Sequence, residues 1–137
     1  YAFSFERAGR KVVYATDNEL DLWLDDHELP LREPEKLRRM PEAFVSFVRG
    51  ADLLIADGQY TDEEYPKKKG WGHPRASTLV DLAIQAEVKQ LSVYHHDPMH
   101  TDAMVDEKID ACRMRAERFG SSLVVFGARE GLELKLY

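Results

Sequence analysis

Cys112 is the single cysteine of the sequence. No disulfide can form within the chain, which excludes the small stapled scaffolds of secreted proteins. No run of about 18 apolar residues occurs, so no membrane-spanning helix is expected. A basic excess is also missing. Lys and Arg number 19 against 25 Asp and Glu, a net charge of −6, whereas a protein that wraps duplex nucleic acid presents a clustered basic face. Two local basic clusters, Lys67-Lys68-Lys69 and Arg32, Lys36, Arg38 and Arg39, read as solvated faces. There is no internal repeat, low-complexity tract, signal peptide or initiator Met. The opening Tyr1-Ala2-Phe3-Ser4-Phe5 resembles the inside of a strand, and the chain is read as a piece of a longer, cytoplasmic polypeptide.

What is present suits one globular domain: 137 residues, 44% apolar and 10% aromatic, enough to bury a sizeable core. Residues 1–6 and 11–16 read as a hairpin turning at Ala8-Gly9. The run Val12-Val13-Tyr14-Ala15 is that of a strand buried on both faces. Residues 17–40, with Pro30 and Pro34, read mostly as loop. A helix starts after Pro41 and ends at Gly50. Leu53 to Ala56 is a short buried strand, and a polar loop leads to a helix beginning near Pro74. Gln90 to Tyr94 is another strand. A long helix from Thr101-Asp102 to about Phe119 places Cys112 on its apolar stripe as a core residue. Short strands at 122–126 and 132–136 close the chain. Helices alternating with strands beside a hairpin predict an α/β layer with a mixed sheet.

Titratable residues stand at three strand ends: Asp17, Asp57 and His95. Sites in open α/β sheets form where strand carboxyl ends meet, and carboxylate and imidazole are ligands for Zn²⁺ and similar ions. A lone Asp at a strand end is ordinarily a turn or cap. His95-His96-Asp97-Pro98 is less ordinary, because adjacent histidines are costly to bury without partners.

The order of the motifs carries a resemblance. Tyr14-Ala15-Thr16-Asp17, the stretch Ala51-Asp52-Leu53-Leu54-Ile55-Ala56-Asp57-Gly58-Gln59-Tyr60-Thr61-Asp62-Glu63-Glu64-Tyr65, Gly70-Trp71-Gly72-His73, His95-His96-Asp97-Pro98 and Arg129-Glu130-Gly131-Leu132 follow one another as in the metallo-β-lactamase superfamily. The likeness is to its phosphodiesterase and tRNA 3′-processing-nuclease branch, and to the C-terminal half of that fold. The resemblance implies half of an αββα sandwich, with helices packed on one face of a mixed sheet. Residues 1–137 would form a single partial domain.

The resemblance further implies that Asp17 bridges two divalent ions, Zn or Mn, and that His95 binds one of them. His73 would contact phosphate or donate a proton, and Asp57 would orient a ligand or the His73 loop. His96, Asp97, His100 and Asp102 would be mouth or surface residues. The sequence departs from the family at Pro74 and at Asn18-Glu19, where relatives carry Ser or Thr. The His-x-His-x-Asp-His motif of the family does not occur among the five histidines. The chain alone is therefore expected to bind metal poorly, leaving its site unfilled, and to be inactive. Its partner would be the missing N-terminal half, in the same polypeptide or a second chain. The complete enzyme would hydrolyse a small phosphodiester, such as a cyclic nucleotide, through a metal-bound hydroxide. The competing expectation is a non-catalytic module that associates, as a homo-oligomer for example, through an uncovered sheet face.

Overall fold

The computed structural model describes residues 1–136. Strands β1 (Ala2–Arg7) and β2 (Arg10–Ala15) pair antiparallel. Between them Ala8 and Gly9 both have positive φ, 50° and 74°, the left-handed pair that a tight hairpin turn matched to strand twist requires. A 3₁₀ turn (Leu20–Trp23), α1 (Leu29–Arg32) and α2 (Glu42–Val48) precede β3 (Leu53–Asp57). Then come α3 (Tyr65–Lys68), α4 (Ala76–Gln85), β4 (Gln90–Tyr94), α5 (Asp102–Arg118) and β5 (Val124–Gly127).

The sheet has five strands in the order β1-β2-β3-β4-β5, and every pair after the hairpin is parallel. Right-handed crossovers between consecutive parallel neighbours put all their helices on one face. This is the mixed sheet that the residue pattern predicted, and its helices lie on one face as the resemblance implies. Val13, Leu54, Leu91 and Val125 lie in one register row and are buried under the helices. α4 contributes Leu79, Val80 and Ala83; α5 contributes Ile109, Cys112 and Ala116 at helical spacing. Cys112 is a core residue, as expected. The Thr101 hydroxyl caps α5 by accepting from Met104 N.

The opposite face is differently finished. Phe3, Tyr14, Ile55, Ser92 and Phe126 share one row, and Phe5, Val12 and Leu53 share another. Phe3 and Phe5 are 52% and 61% exposed. The expectation that Val12–Ala15 is buried on both faces is therefore corrected: Val13 is buried, while Val12 and Tyr14 are half-covered because no second layer lies over them.

Two further expectations change. Residues 132–136 form no strand; after Gly127 the chain turns, and Leu132 and Leu134 line a cleft with Val105 and Ile109 of α5. Both leucines stay exposed, at 37% and 42%, so the segment gains neither a ladder nor full burial. Arg38 is not solvated but fully buried. Its Nη1 and backbone N donate to Asp81 Oδ2 at 3.1 and 2.9 Å, so α4 neutralises the charge that burial would otherwise penalise. Arg115 of α5 binds the same carboxylate at 2.9 Å. Nearby, Asp21 accepts from Arg75 N and Thr78 Oγ1 at 3.0 and 2.8 Å. These ions tie the long connection 17–40 to α4, and its first residues thereby reach the site. No helix among the described residues is long and apolar enough to cross a membrane.

Candidate metal centre

Because β2, β3 and β4 are parallel neighbours, their carboxyl ends open on one edge of the sheet. Asp17 follows β2, Asp57 ends β3 and His95 follows β4. Asp17 and His95 both adopt left-handed backbone, φ 46° and 59°. Asp and His tolerate this region better than most residues, and such conformations concentrate at functional sites. His73 arrives from the loop ahead of α4. That loop is closed by a bridge in which Tyr60 N donates to Pro74 O and Ala76 N donates to Tyr60 O, at 3.3 and 2.9 Å.

The three side chains converge. Asp17 Oδ1 lies 3.7 Å from His95 Nε2 and 3.8 Å from His73 Nδ1. The two imidazoles stack with centroids 4.6 Å apart. One ligand atom from each of Asp17, His73 and His95 lies within 4.8 Å of the others, and no second such group forms among the described residues. Asp17 and His95 approach without a hydrogen bond between them, at a distance an ion could bridge. Asp57 has the firmer hold on His73: its Oδ2 bonds His73 Nδ1, and its Oδ1 accepts from Gln59 N at 3.2 Å. Burial raises the pKa of the Asp57 carboxyl, and His73 offsets part of that shift.

Two residues absent from the sequence-level site complete it. Gln59 is buried, with Oε1 2.9 Å from His95 Nδ1 and Nε2 3.5 Å from Asp97 Oδ2. Glu19, seen in the sequence only as a departure, is also buried. It accepts from Tyr65 Oη and Gly70 N at 2.7 Å each and from Gly72 N at 2.8 Å. Its one sequence signal is the Gly-x-Gly turn itself, whose glycines take φ 87° and 95° and so leave amides pointing away from any ladder.

The other histidines stand apart. His96 Nε2 meets Ala128 O at 3.2 Å, His100 Nε2 meets Glu64 Oε1 at 2.7 Å, and His27 Nδ1 meets Arg75 Nη1 at 3.1 Å. Asp97 receives Met99 N at 2.8 Å in a local turn, and Asp102 is exposed in the first turn of α5. The donor chemistry of the central cluster, one carboxylate with imidazole nitrogen, fits a divalent transition metal but leaves coordination positions for other donors.

The fold is the metallo-β-lactamase fold, of which the chain spans part. The metallo-β-lactamase fold protein YhfI from Bacillus subtilis superposes with a TM-score of 0.64 at 17% identity, over 96% of this chain and 42% of YhfI. In sequence the chain is similar to ribonuclease Z from Thermoplasma acidophilum, 28% identical over 99 residues, and from Methanosarcina mazei, 32% identical over 100. Those alignments take in 72% and 70% of the chain but 26% and 25% of the relatives. The chain thus spans about a quarter of their length. No family model matches the chain.

Proposed function

We propose that this chain forms one part of a metal-dependent phosphodiester hydrolase, inactive until the remaining metal ligands are supplied by the other half of the fold. The observation that carries this reading is the meeting of Asp17 and His95, 3.7 Å apart at the ends of neighbouring strands. In this reading Asp17 and His95 would hold divalent metal, Zn or Mn and two ions in the complete site, with Asp17 serving as a shared ligand. A divalent ion held there would act as a Lewis acid on a phosphoryl oxygen and lower the pKa of bound water.

The chain's own residues do the rest. Asp57 engages His73 Nδ1, which leaves Nε2 to carry a proton toward the leaving oxygen of the ester. The buried Asp57 carboxylate holds that imidazole in orientation. Glu19 holds the turn that carries His73. Relatives named ribonuclease Z favour a phosphodiester of RNA over the small cyclic nucleotide given as an example of what the resemblance implies. The exposed face bearing Phe3 and Phe5 would be covered by the other half of the sandwich, in the same polypeptide or a second chain. A cytoplasmic location belongs to the same reading.

That exposed face also favours the second reading, a non-catalytic module that pairs through it, as a homo-oligomer for example. Elemental analysis separates the two, made on this chain and on the full-length protein. The hydrolase reading expects about two ions per full-length protein, lost on Asp17→Ala or His95→Ala, with far less metal on this chain. Metal-free full-length protein, unchanged by either substitution, would overturn it in favour of the module.

A further inference from the structure

Trp71 is 64% exposed and stands two residues before His73, on the turn that brings His73 to the centre. Its setting is unusual for a surface tryptophan. Gly70 and Gly72, on either side, both donate backbone N–H to the one buried Glu19 carboxylate, at 2.7 and 2.8 Å. Trp71 N donates to Lys68 O at 3.1 Å. A buried charge is therefore committed to fixing the backbone under a side chain that packs into no core. Lys68 Nζ lies 4.1 Å from the Trp71 ring centroid, a cation–π contact. Lys67 and Lys69 flank Lys68 in the sequence, and Lys69 Nζ lies 3.3 Å from His27 Nε2, so a local cluster of basic residues stands at this turn in a chain whose net charge is −6.

An exposed, backbone-anchored aromatic beside clustered cations is the chemistry that takes up unpaired bases: the ring stacks on a base, and the ammonium groups meet the adjoining phosphates. Bases inside a duplex offer no free π-face. We propose that Trp71 and Lys68 form a stacking platform for an unpaired base of a single-stranded nucleic acid, next to the scissile phosphodiester at the Asp17–His95–His73 centre. The platform rests on the phosphodiester reading above and narrows its substrate to a strand with an unpaired end. A single nucleotide would engage the ring without the run of adjoining phosphates that a basic cluster favours.

Trp71 is also the reporter. In the Trp23→Phe variant of this chain it is the one remaining tryptophan, and its fluorescence is followed during titration with a short oligoadenylate. The expected result is quenching by the single strand and none by the matched duplex at equal phosphate concentration. Trp71→Ala, followed by anisotropy of a labelled oligoadenylate, is expected to bind roughly ten-fold more weakly, with Trp71→Phe restoring much of the affinity. Equal affinity of Trp71→Ala, unquenched Trp71 in the presence of bound oligonucleotide, no oligonucleotide binding, or equal quenching by cyclic AMP would each overturn the proposal.

Asp17→Ala in the same background keeps the two readings apart. Quenching should survive it, because stacking does not need the metal. Full-length protein whose metal content is unchanged by Asp17→Ala therefore counts against the hydrolase alone, and loss of quenching in Asp17→Ala counts against the platform alone.

Discussion

Gln59 presents its side-chain oxygen to His95 Nδ1 at 2.9 Å while its amide nitrogen faces Asp97 Oδ2 at 3.5 Å. The carboxylate sets which end of the amide is which, because only the NH₂ end can donate to it. An oxygen toward Nδ1 then keeps the proton on Nδ1 and leaves the Nε2 lone pair facing Asp17. The tautomer of the proposed ligand is thus set by a neighbour that is not itself a ligand. Replacing that oxygen should weaken metal binding without abolishing it. Gln59→Leu in the full-length protein is expected to lose about 10–100-fold in metal affinity, read by titration against a competing chelator. An unchanged affinity would show that His95 needs no such support.

Glu19 poses a different test, one of order rather than ligation. Its carboxylate satisfies two backbone amides and the Tyr65 hydroxyl, and these donors are covered once the turn folds. Hydrogen bonds to Glu19 outweigh burial and lower its pKa, so it holds the turn as an anion. Glu19→Ala should cost about 1–3 kcal/mol, the usual consequence of stranding buried donors. It should also speed hydrogen exchange at the Gly70 and Gly72 amides. Protection at Gly70 and Gly72 equal to the parent's would mean the turn is held by other contacts.

How much of this could be read from residues alone differs by element. The strands, α4 and α5 announce themselves by apolar periodicity, since Leu53–Ala56 and the Ile109, Cys112, Ala116 stripe can bury themselves in few other ways. The strand-end residues Asp17, Asp57 and His95 follow from that reading together with the parallel order. His73 does not, because a loop position has no period, and only the ordered motifs pointed to it. Gln59, Glu19 and Arg38 were missed for one shared reason. Each is a polar residue buried by a partner distant in sequence: Gln59 with His95, Glu19 with Gly70 and Gly72, Arg38 with Asp81. No local pattern encodes such pairings. The tail 132–136 alternates like a strand, but alternation cannot report whether a partner strand is there to complete a ladder.

Asp81 is the point where three segments meet, since it binds Arg38 and Arg115 while lying fully buried on α4. Removing one member of a buried ionic cluster leaves the others desolvated and uncompensated. Asp81→Ala is expected to destabilise the fold by about 3–5 kcal/mol, seen as a lower urea midpoint. If the cost is that of stranded Arg38, the double variant Arg38→Met, Asp81→Leu should lose less than the two single substitutions together. Simple additivity would show that the pair does not act as a unit.

Asp52 supplies a pH dependence remote from the proposed centre. Its Oδ1 accepts from Lys89 Nζ at 2.7 Å and Arg10 Nη1 at 3.1 Å, and its Oδ2 accepts from Lys11 N at 2.8 Å. These bonds fasten the hairpin to the start of β3 and the approach to β4. The Lys89 bond, then the Lys11 amide, lowers the carboxyl pKa from 3.8 to about 2. A folded-state pKa below the unfolded one means that the native state binds the proton less readily, so its stabilisation is complete above the unfolded value. As pH falls from 3.8 towards 2, protonation of the unfolded chain draws the equilibrium away from the native state and that contribution is lost. Guanidinium midpoints measured across this window should fall with decreasing pH in the parent and fall less steeply in Asp52→Asn, which has no proton to gain. Other carboxylates titrate in the same range, so the difference between the two slopes is the quantity to compare. Parallel slopes would mean that Asp52 contributes through neutral hydrogen bonds alone, and that its ion pairs with Lys89 and Arg10 are screened at the surface.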